Sequence, residues 1–239
     1  MNKVLLTILV ILATGFSGCK DDAYAPPPPS SSATYFPQTK GSTWKYRDST
    51  FNETASKSAI FNPKIDTLTF RINGLSTDFN SLKCYNVDVT SALYGSNTAY
   101  FYAGDHLFSL LEWTLLYGLT NLEMLKDTAS EGYTWLGSPL CASVLTTPIA
   151  SNPTRTISTI IEKNLLKKVG KITYGNVIHT AVSLQMNFDG GGFSTLAYYD
   201  FYLAKGVGLI EKDTHIYGLK YEVETLISFN IKQDPITSH

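Results

Sequence analysis

The chain has 239 residues, with 19 basic against 20 acidic side chains and a formal net charge of -1. That balance supplies no field to attract nucleic acid, so a nucleic-acid partner is set aside. Hydrophobic residues make up 44%, aromatic residues 13% and charged residues 16%, which excludes a mostly disordered chain and suits a β-rich globule better than a charged helical one.

Lys3 opens the chain with positive charge, Val4 to Ala13 form an apolar run, and Phe16-Ser17-Gly18-Cys19 follows at once. A bilayer-spanning helix needs about 20 apolar residues, so this run is too short to remain as an anchor, and residues 1–18 read as a cleaved leader. Ser17-Gly18-Cys19 resembles the bacterial lipobox, in which signal peptidase cuts before a cysteine already carrying diacylglycerol; Phe16 stands where leucine is usual. The resemblance implies a mature N-terminus at Cys19 bearing acyl chains such as palmitate, each buried methylene worth ~0.8 kcal/mol of membrane attachment. Lys20-Asp21-Asp22 looks like the lysine-plus-acidic export signal of surface-exposed Bacteroidota lipoproteins, which implies the outer membrane or cell surface. Within residues 19–33, the run Pro26 to Pro29 and Ser30 to Ser32 reads as a polyproline II and Ser spacer that clears the membrane. Residues 34–239 read as a single β-rich domain.

From Tyr35 onward, short runs alternate with the two-residue period of strands between Gly, Asn, Asp and Pro. Ile65 to Asn73 is one, and Tyr85, Val87 and Val89 share a face in the next. Ala99 to Ala103 and His106 to Leu110 flank a predicted two-residue turn, Gly104-Asp105. Leu110 to Lys126 is the stretch that reads as helix, because Leu111, Leu115, Leu119, Leu122 and Leu125 recur at three and four, although Gly118 weakens it. Arg155 to Lys163, Leu166 to Tyr174, Val177 to Phe188 and Thr195 to Ala204 continue the strands, with Asp189-Gly190-Gly191-Gly192 as a flexible link. In Tyr221 to Lys232 the odd positions are Tyr, Val, Thr, Ile, Phe and Ile, predicting a buried odd face and a wet even face. The expected fold is mainly β: a strongly curved antiparallel sheet, half-barrel or sandwich of about ten strands, with at most one or two short helices. Gly41-Ser42-Thr43-Trp44 and Gly132-Tyr133-Thr134-Trp135 echo one another, which shared turn chemistry explains more simply than duplication.

Tyr35-Phe36-Pro37, Gly41 to Tyr46, Gly175 to His179, Tyr202 to Ile210 and Leu226 to Asn230 together resemble motifs of a broad set of uncharacterised Bacteroidota lipoproteins. That resemblance spans nearly the whole mature chain and implies a curved antiparallel sheet similar to the half-barrels of LolA- and LolB-type carriers. Leu203 departs from the aromatic or proline usual before the Ala-Lys-Gly-Val-Gly run. The resemblance brings no activity and no catalytic residues. Gly206 and Gly208 around Val207 suit a bulge or sharp bend between strands.

Little in the sequence carries chemistry. His106, His179, His215 and His239 show no metal-ligand spacing, and no Gly-x-Ser-x-Gly elbow or phosphate loop exists, so no catalytic residue, metal or cofactor is assigned. Glu222 and Glu224 share the face read as wet, where exposed neighbours make no acid–base pair. Cys84 and Cys141 remain once Cys19 is acylated, and an oxidising compartment allows a disulfide between them, worth roughly 4 kcal/mol by chain entropy. Aromatic side chains are the remaining ligand-contact candidates. Tyr198, Tyr199, Phe201 and Tyr202 alternate along one strand, and Trp113 and Tyr117 would share a face of the predicted helix, to stack on sugars or line a lipid cavity. The expected function is a non-catalytic binding or assembly module held to the membrane by its lipid, with a glycan, lipid or envelope protein as partner. A hydrophobic-ligand carrier and a glycan or peptide hydrolase are the alternatives.

Overall fold

The structure is a computed structural model and describes residues 23–24, 34–51, 63–79, 82–114, 118–138 and 153–232. Its strands are β1 (Ala23–Tyr24), β2 (Thr43–Thr50), β3 (Lys64–Phe79), β4 (Leu82–Ser91), β5 (Gly95–Gly104), β6 (Leu107–Thr114), β7 (Gly118–Lys126), β8 (Thr134–Gly137), β9 (Thr154–Val169), β10 (Ile172–Met186), β11 (Ser194–Ala204), β12 (Gly208–Ile216) and β13 (Leu219–Asn230). No helix occurs among the described residues. Twelve strands form one antiparallel meander in the order β7-β6-β5-β4-β3-β2-β13-β12-β11-β10-β9-β8, and β1 adds to β10 in parallel at Ile172 and Thr173. Within the meander the departure from sequence order is the β2–β13 pairing, which joins the two ends of the domain.

The sheet curls until β7 and β8 face each other, making a nearly closed barrel rather than the expected half-barrel. Side chains bridge the seam. The Trp135 indole N–H donates to Glu123 Oε2 at 2.9 Å, the Ser158 hydroxyl donates to the Glu123 carbonyl at 2.8 Å, and the Lys163 ammonium donates to the carbonyls of Asp127 and Ala129.

The predicted helix is instead β6 and β7, with residues 115–117 outside the described set. The reason lies in burial on both faces. Phe108, Leu110 and Leu122 point into the barrel core, while Leu111 and Leu119 pack with Cys84 in a second cluster. A strand buried on both sides loses its polar alternation, and leucines counted through a hairpin can fall at helical spacing. The predicted strand Leu166 to Tyr174 likewise straddles a turn at Gly170 and Lys171 between two long strands. Asn164 and Asn176, which read as strand ends, lie within β9 and β10 at φ 57° and 50°. Asn tolerates that left-handed backbone, and the β9–β10 register shifts around Asn176 let the strands bend without stopping. The turn after β5 falls at Asp105-His106, one residue later than expected, with φ 49° and 63°, the double positive φ of a type I′ hairpin.

One end of the barrel is filled. Tyr35 and Phe36 are buried there, Phe36 meets Phe101 edge-on at 4.1 Å, and the Gly206 N–H donates to the Thr34 carbonyl. Trp44 Nε1–H donates to the Val207 carbonyl at 2.7 Å and the Tyr46 hydroxyl to the Leu209 carbonyl at 2.8 Å. Gly208, at φ 103°, lets the backbone pass beside the Trp44 indole and Tyr35, so the glycine pair serves the bend its spacing predicted. Trp44 and Trp135 each stand second in their strand, and Gly41 and Gly132 ahead of them both have positive φ, so common turn chemistry accounts for the sequence echo.

Replacing Trp44 by Phe removes the indole donor and leaves the Val207 carbonyl buried without it. The expected loss is about 1–3 kcal/mol, measured as a lowered urea midpoint with an unchanged slope.

Candidate functional site

The opposite end of the barrel is not filled. A cavity of about 540 Å³ opens there, floored by Phe70 and Tyr199 and lined higher up by Tyr94, Trp113 and Tyr221. Its charged residues follow from strand register. Lys212 of β12 lies opposite Glu224 of β13, Glu224 opposite Asp48 of β2, and Asp48 opposite Asp66 of β3, so four adjacent strands carry one continuous row of inward charge. Directly opposed residues stand within about 5.5 Å at Cβ, close enough to interact strongly.

Lys212 is buried and gathers the acids. Its ammonium lies 2.5 Å from Glu224 Oε1, 3.3 Å from Glu222 Oε2, and 3.0 and 3.2 Å from the two oxygens of Glu112. Glu112 belongs to β6, so its pair with Lys212 crosses the lumen and ties opposite walls together. Burial opposes the lysine charge, but Glu112, Glu222 and Glu224 outweigh it and hold the ammonium well above its ordinary value. Burial raises Glu224 to about 8, against the pull of Lys212 and with Glu222 and Glu112 adding to the rise. Burial and Glu222 raise Asp48 to about 6. For Asp66 burial also acts upward, but the Ser91 hydroxyl at 2.5 Å and the amides of Thr67, Ala92 and Leu93 overcome it and keep the carboxyl below its ordinary value. Two buried oxygens at the site, Asp48 Oδ1 and Glu224 Oε2, accept no hydrogen bond within the protein.

Glu222 and Glu224 therefore do not lie on a wet face. Glu224 is 3% exposed and faces inward with Leu226, whereas Ile227 is 52% exposed. The cause is an irregularity between Leu226 and Ser228 in the β13–β2 register. Beyond it the odd residues Phe229 and Ile231 pack on the core as predicted; before it the even residues do. A single bulge exchanges the two faces of a strand, and alternation read straight through it misplaces half.

The three candidate aromatics among the described residues, Trp113, Tyr198 and Tyr202, do not come together. Trp113 stands at the cavity rim, half exposed, on a strand and not a helix. Tyr198 and Tyr202 lie on the outer face of β11, while Tyr199 and Phe201 point in. Tyr202 stacks on His179 at 4.4 Å beneath the Lys167 ammonium, and His179 Nε2 meets Asp200 Oδ1 at 2.6 Å. Cys84 is a buried free thiol that burial pushes up to about 11. Cys141, the candidate partner for a disulfide, together with Tyr117, Cys19, Lys20, Asp21, Asp22 and His239, lies outside the described residues. His106 pairs with Asp127 at 2.9 Å in its exposed turn. Among the described residues no group of three or more His, Cys, Asp or Glu could hold a metal ion.

No family model matches the chain, and no curated protein sequence matches it. Solved structures similar in fold include a protein assigned as exported, with a YmcC-like fold, from Bacteroides fragilis (12% identity, 82% of this chain and 98% of that one, TM-score 0.42). A protein assigned as a lipoprotein from Parabacteroides distasonis is similar at 13% identity, with the same coverage and a TM-score of 0.40. A β-barrel-like domain of unknown function from Brucella abortus matches at 9% identity over 81% of this chain and 99% of that one, with a TM-score of 0.39.

The raised carboxyls predict a pH dependence. Folded Glu224 and Asp48 hold protons that the unfolded chain releases at its ordinary 4.5 and 3.8. Stability therefore falls as pH rises from the unfolded values through about 6 and about 8, and Glu224→Gln flattens that decline in urea midpoints measured from pH 5 to 8. Lys212→Met leaves three carboxyls crowded without their cation. Its cost at pH 8 is about 3–5 kcal/mol and shrinks toward acid pH as Glu112 and Glu224, both raised by burial, take up protons.

Proposed function

We propose that the protein is a lipid-anchored lipoprotein of the cell envelope, at the outer membrane or cell surface, whose barrel is a non-catalytic binding module with the cavity as its ligand site. The observation that carries this reading is the space of about 540 Å³ left in a barrel whose other end is filled by Phe36, Trp44 and Phe101. Ligand sites have this size and this mixture of aromatic wall and few placed polar groups. Support for the anchor comes from Ser17-Gly18-Cys19 behind a short apolar leader, and for surface display from Lys20-Asp21-Asp22.

The carrier alternative fares less well. An acyl chain in this cavity would strip water from Glu112 and Glu222, at a cost in charge desolvation that the apolar contacts would have to exceed. For hydrolysis, Glu112, Glu222 and Glu224 are engaged by Lys212, which ties down the proton transfer a glycosidase asks of its carboxyl pair.

Two measurements test the proposal. Radioactive palmitate should label the wild type and not Cys19→Ala, with the latter leaving the membrane fraction. In ligand-observed NMR against a mixed set of neutral, anionic and cationic small molecules, some should bind the wild type and be lost in Asn97→Trp, which narrows the mouth from an exposed position. Binding that ignores that substitution, or no binding at all, removes the cavity from the account.

A further inference from the structure

We infer that the cavity takes a small organic ammonium ion, seated between the carboxyls of Asp48 and Glu224. This inference rests on the cavity being a ligand site and names the ligand's chemistry.

Asp48, Glu112, Glu222 and Glu224 bring four carboxyls to the cavity, and Lys212 is the cation among them. The lysine satisfies both oxygens of Glu112 and one each of Glu222 and Glu224. Of the oxygens that remain on these four residues, the buried ones form a matched pair of acceptors. Asp48 and Glu224, 4% and 3% exposed, are direct partners across β2 and β13, and each keeps one buried oxygen without a donor. Buried carboxyl oxygens without donors are costly and rare. An ammonium offers three N–H donors from one point charge, so it can serve both oxygens at once while its carbon chain extends along Phe70, Tyr199 and Tyr221. A divalent metal fits less well, because these strands bring no metal-binding group of three ligands together. An anion would meet four carboxyls and a single cation already enclosed by three of them.

Proton linkage gives an independent sign. The titratable groups around Glu224 are Glu222 on its own strand, Asp48 and Tyr46 from β2, Glu112 from β6 and Lys212 from β12, with Asp66 of β3 one strand further, opposite Asp48. Raised carboxyls are partly protonated in the empty site, and a bound cation favours their ionised form. Binding should therefore release protons and tighten as pH rises from 6 to 8.

Calorimetry on the purified full chain, with 1-butylamine and 1,4-diaminobutane as probes, tests this against the isosteres butan-1-ol and butyrate and against calcium and sodium chloride. The amines should bind with proton release, read from the dependence of heat on buffer, and more tightly at pH 8 than at pH 6. Asp48→Asn and Glu224→Gln, both isosteric and each checked by melting, should weaken binding at least tenfold, and Asp88→Asn on the outer face should not. Equal binding of butan-1-ol, binding of calcium in place of amines, or unchanged affinity in both carboxyl variants overturns the inference. If neutral or anionic molecules bind at the mouth while amines do not, the ammonium assignment falls and the binding module stands; if nothing binds, both fall.

Discussion

The ammonium of Lys212 is the constraint on which the rest of this barrel depends. Four strands carry a row of charge into the lumen, and without a cation at its head the row would be carboxyl against carboxyl. Such a row costs desolvation at every position, and ion pairing recovers that cost only where geometry is good. Here the pairing also does mechanical work, because Glu112 reaches Lys212 from the far wall and fixes the lumen's width at that level. Below it, the aromatic fill of Phe36, Trp44 and Phe101 closes the barrel; above it, side chains withdraw and space opens.

The strand-rich, antiparallel character was legible because most strands bury one face, and Phe70 with Ile72, or Val87 with Val89, show the alternation plainly. The glycine pair at Gly206 and Gly208 was legible as a bend for the same reason that it works as one, its tolerance of positive φ. What failed were places where local pattern and tertiary burial part. The β6–β7 hairpin is covered on both faces, so its leucines carry no period of two. Asn164 and Asn176 look like punctuation and prove to be bends inside long strands.

The site was the least legible part. Lys212 looks like an ordinary strand lysine, and Glu112, Glu222 and Glu224 look like solvated acids, because the chemistry lies in their convergence across 100 residues of sequence. Reading it in advance would have required both the barrel closure and the β13 bulge. The one local hint was weak: Asp48 follows Trp44 and Tyr46 in the two-residue register of β2, which puts it on the same buried face.

The parallel pairing of Ala23 and Tyr24 with Ile172 and Thr173 fixes more than a sheet edge. It docks the chain's beginning beside the β9–β10 turn, at the filled end of the barrel, only four residues after Cys19. Four residues reach at most ~14 Å, so if Cys19 is the lipid-bearing residue, this pairing rather than the Pro and Ser run that follows would set the stand-off from the bilayer. With acyl chains on Cys19, as proposed, the plugged base would rest near the lipid and the acidic mouth would open outward, a cup facing the medium. Solutes would then arrive from the aqueous side without crossing a headgroup layer, and the membrane itself could not stopper the opening.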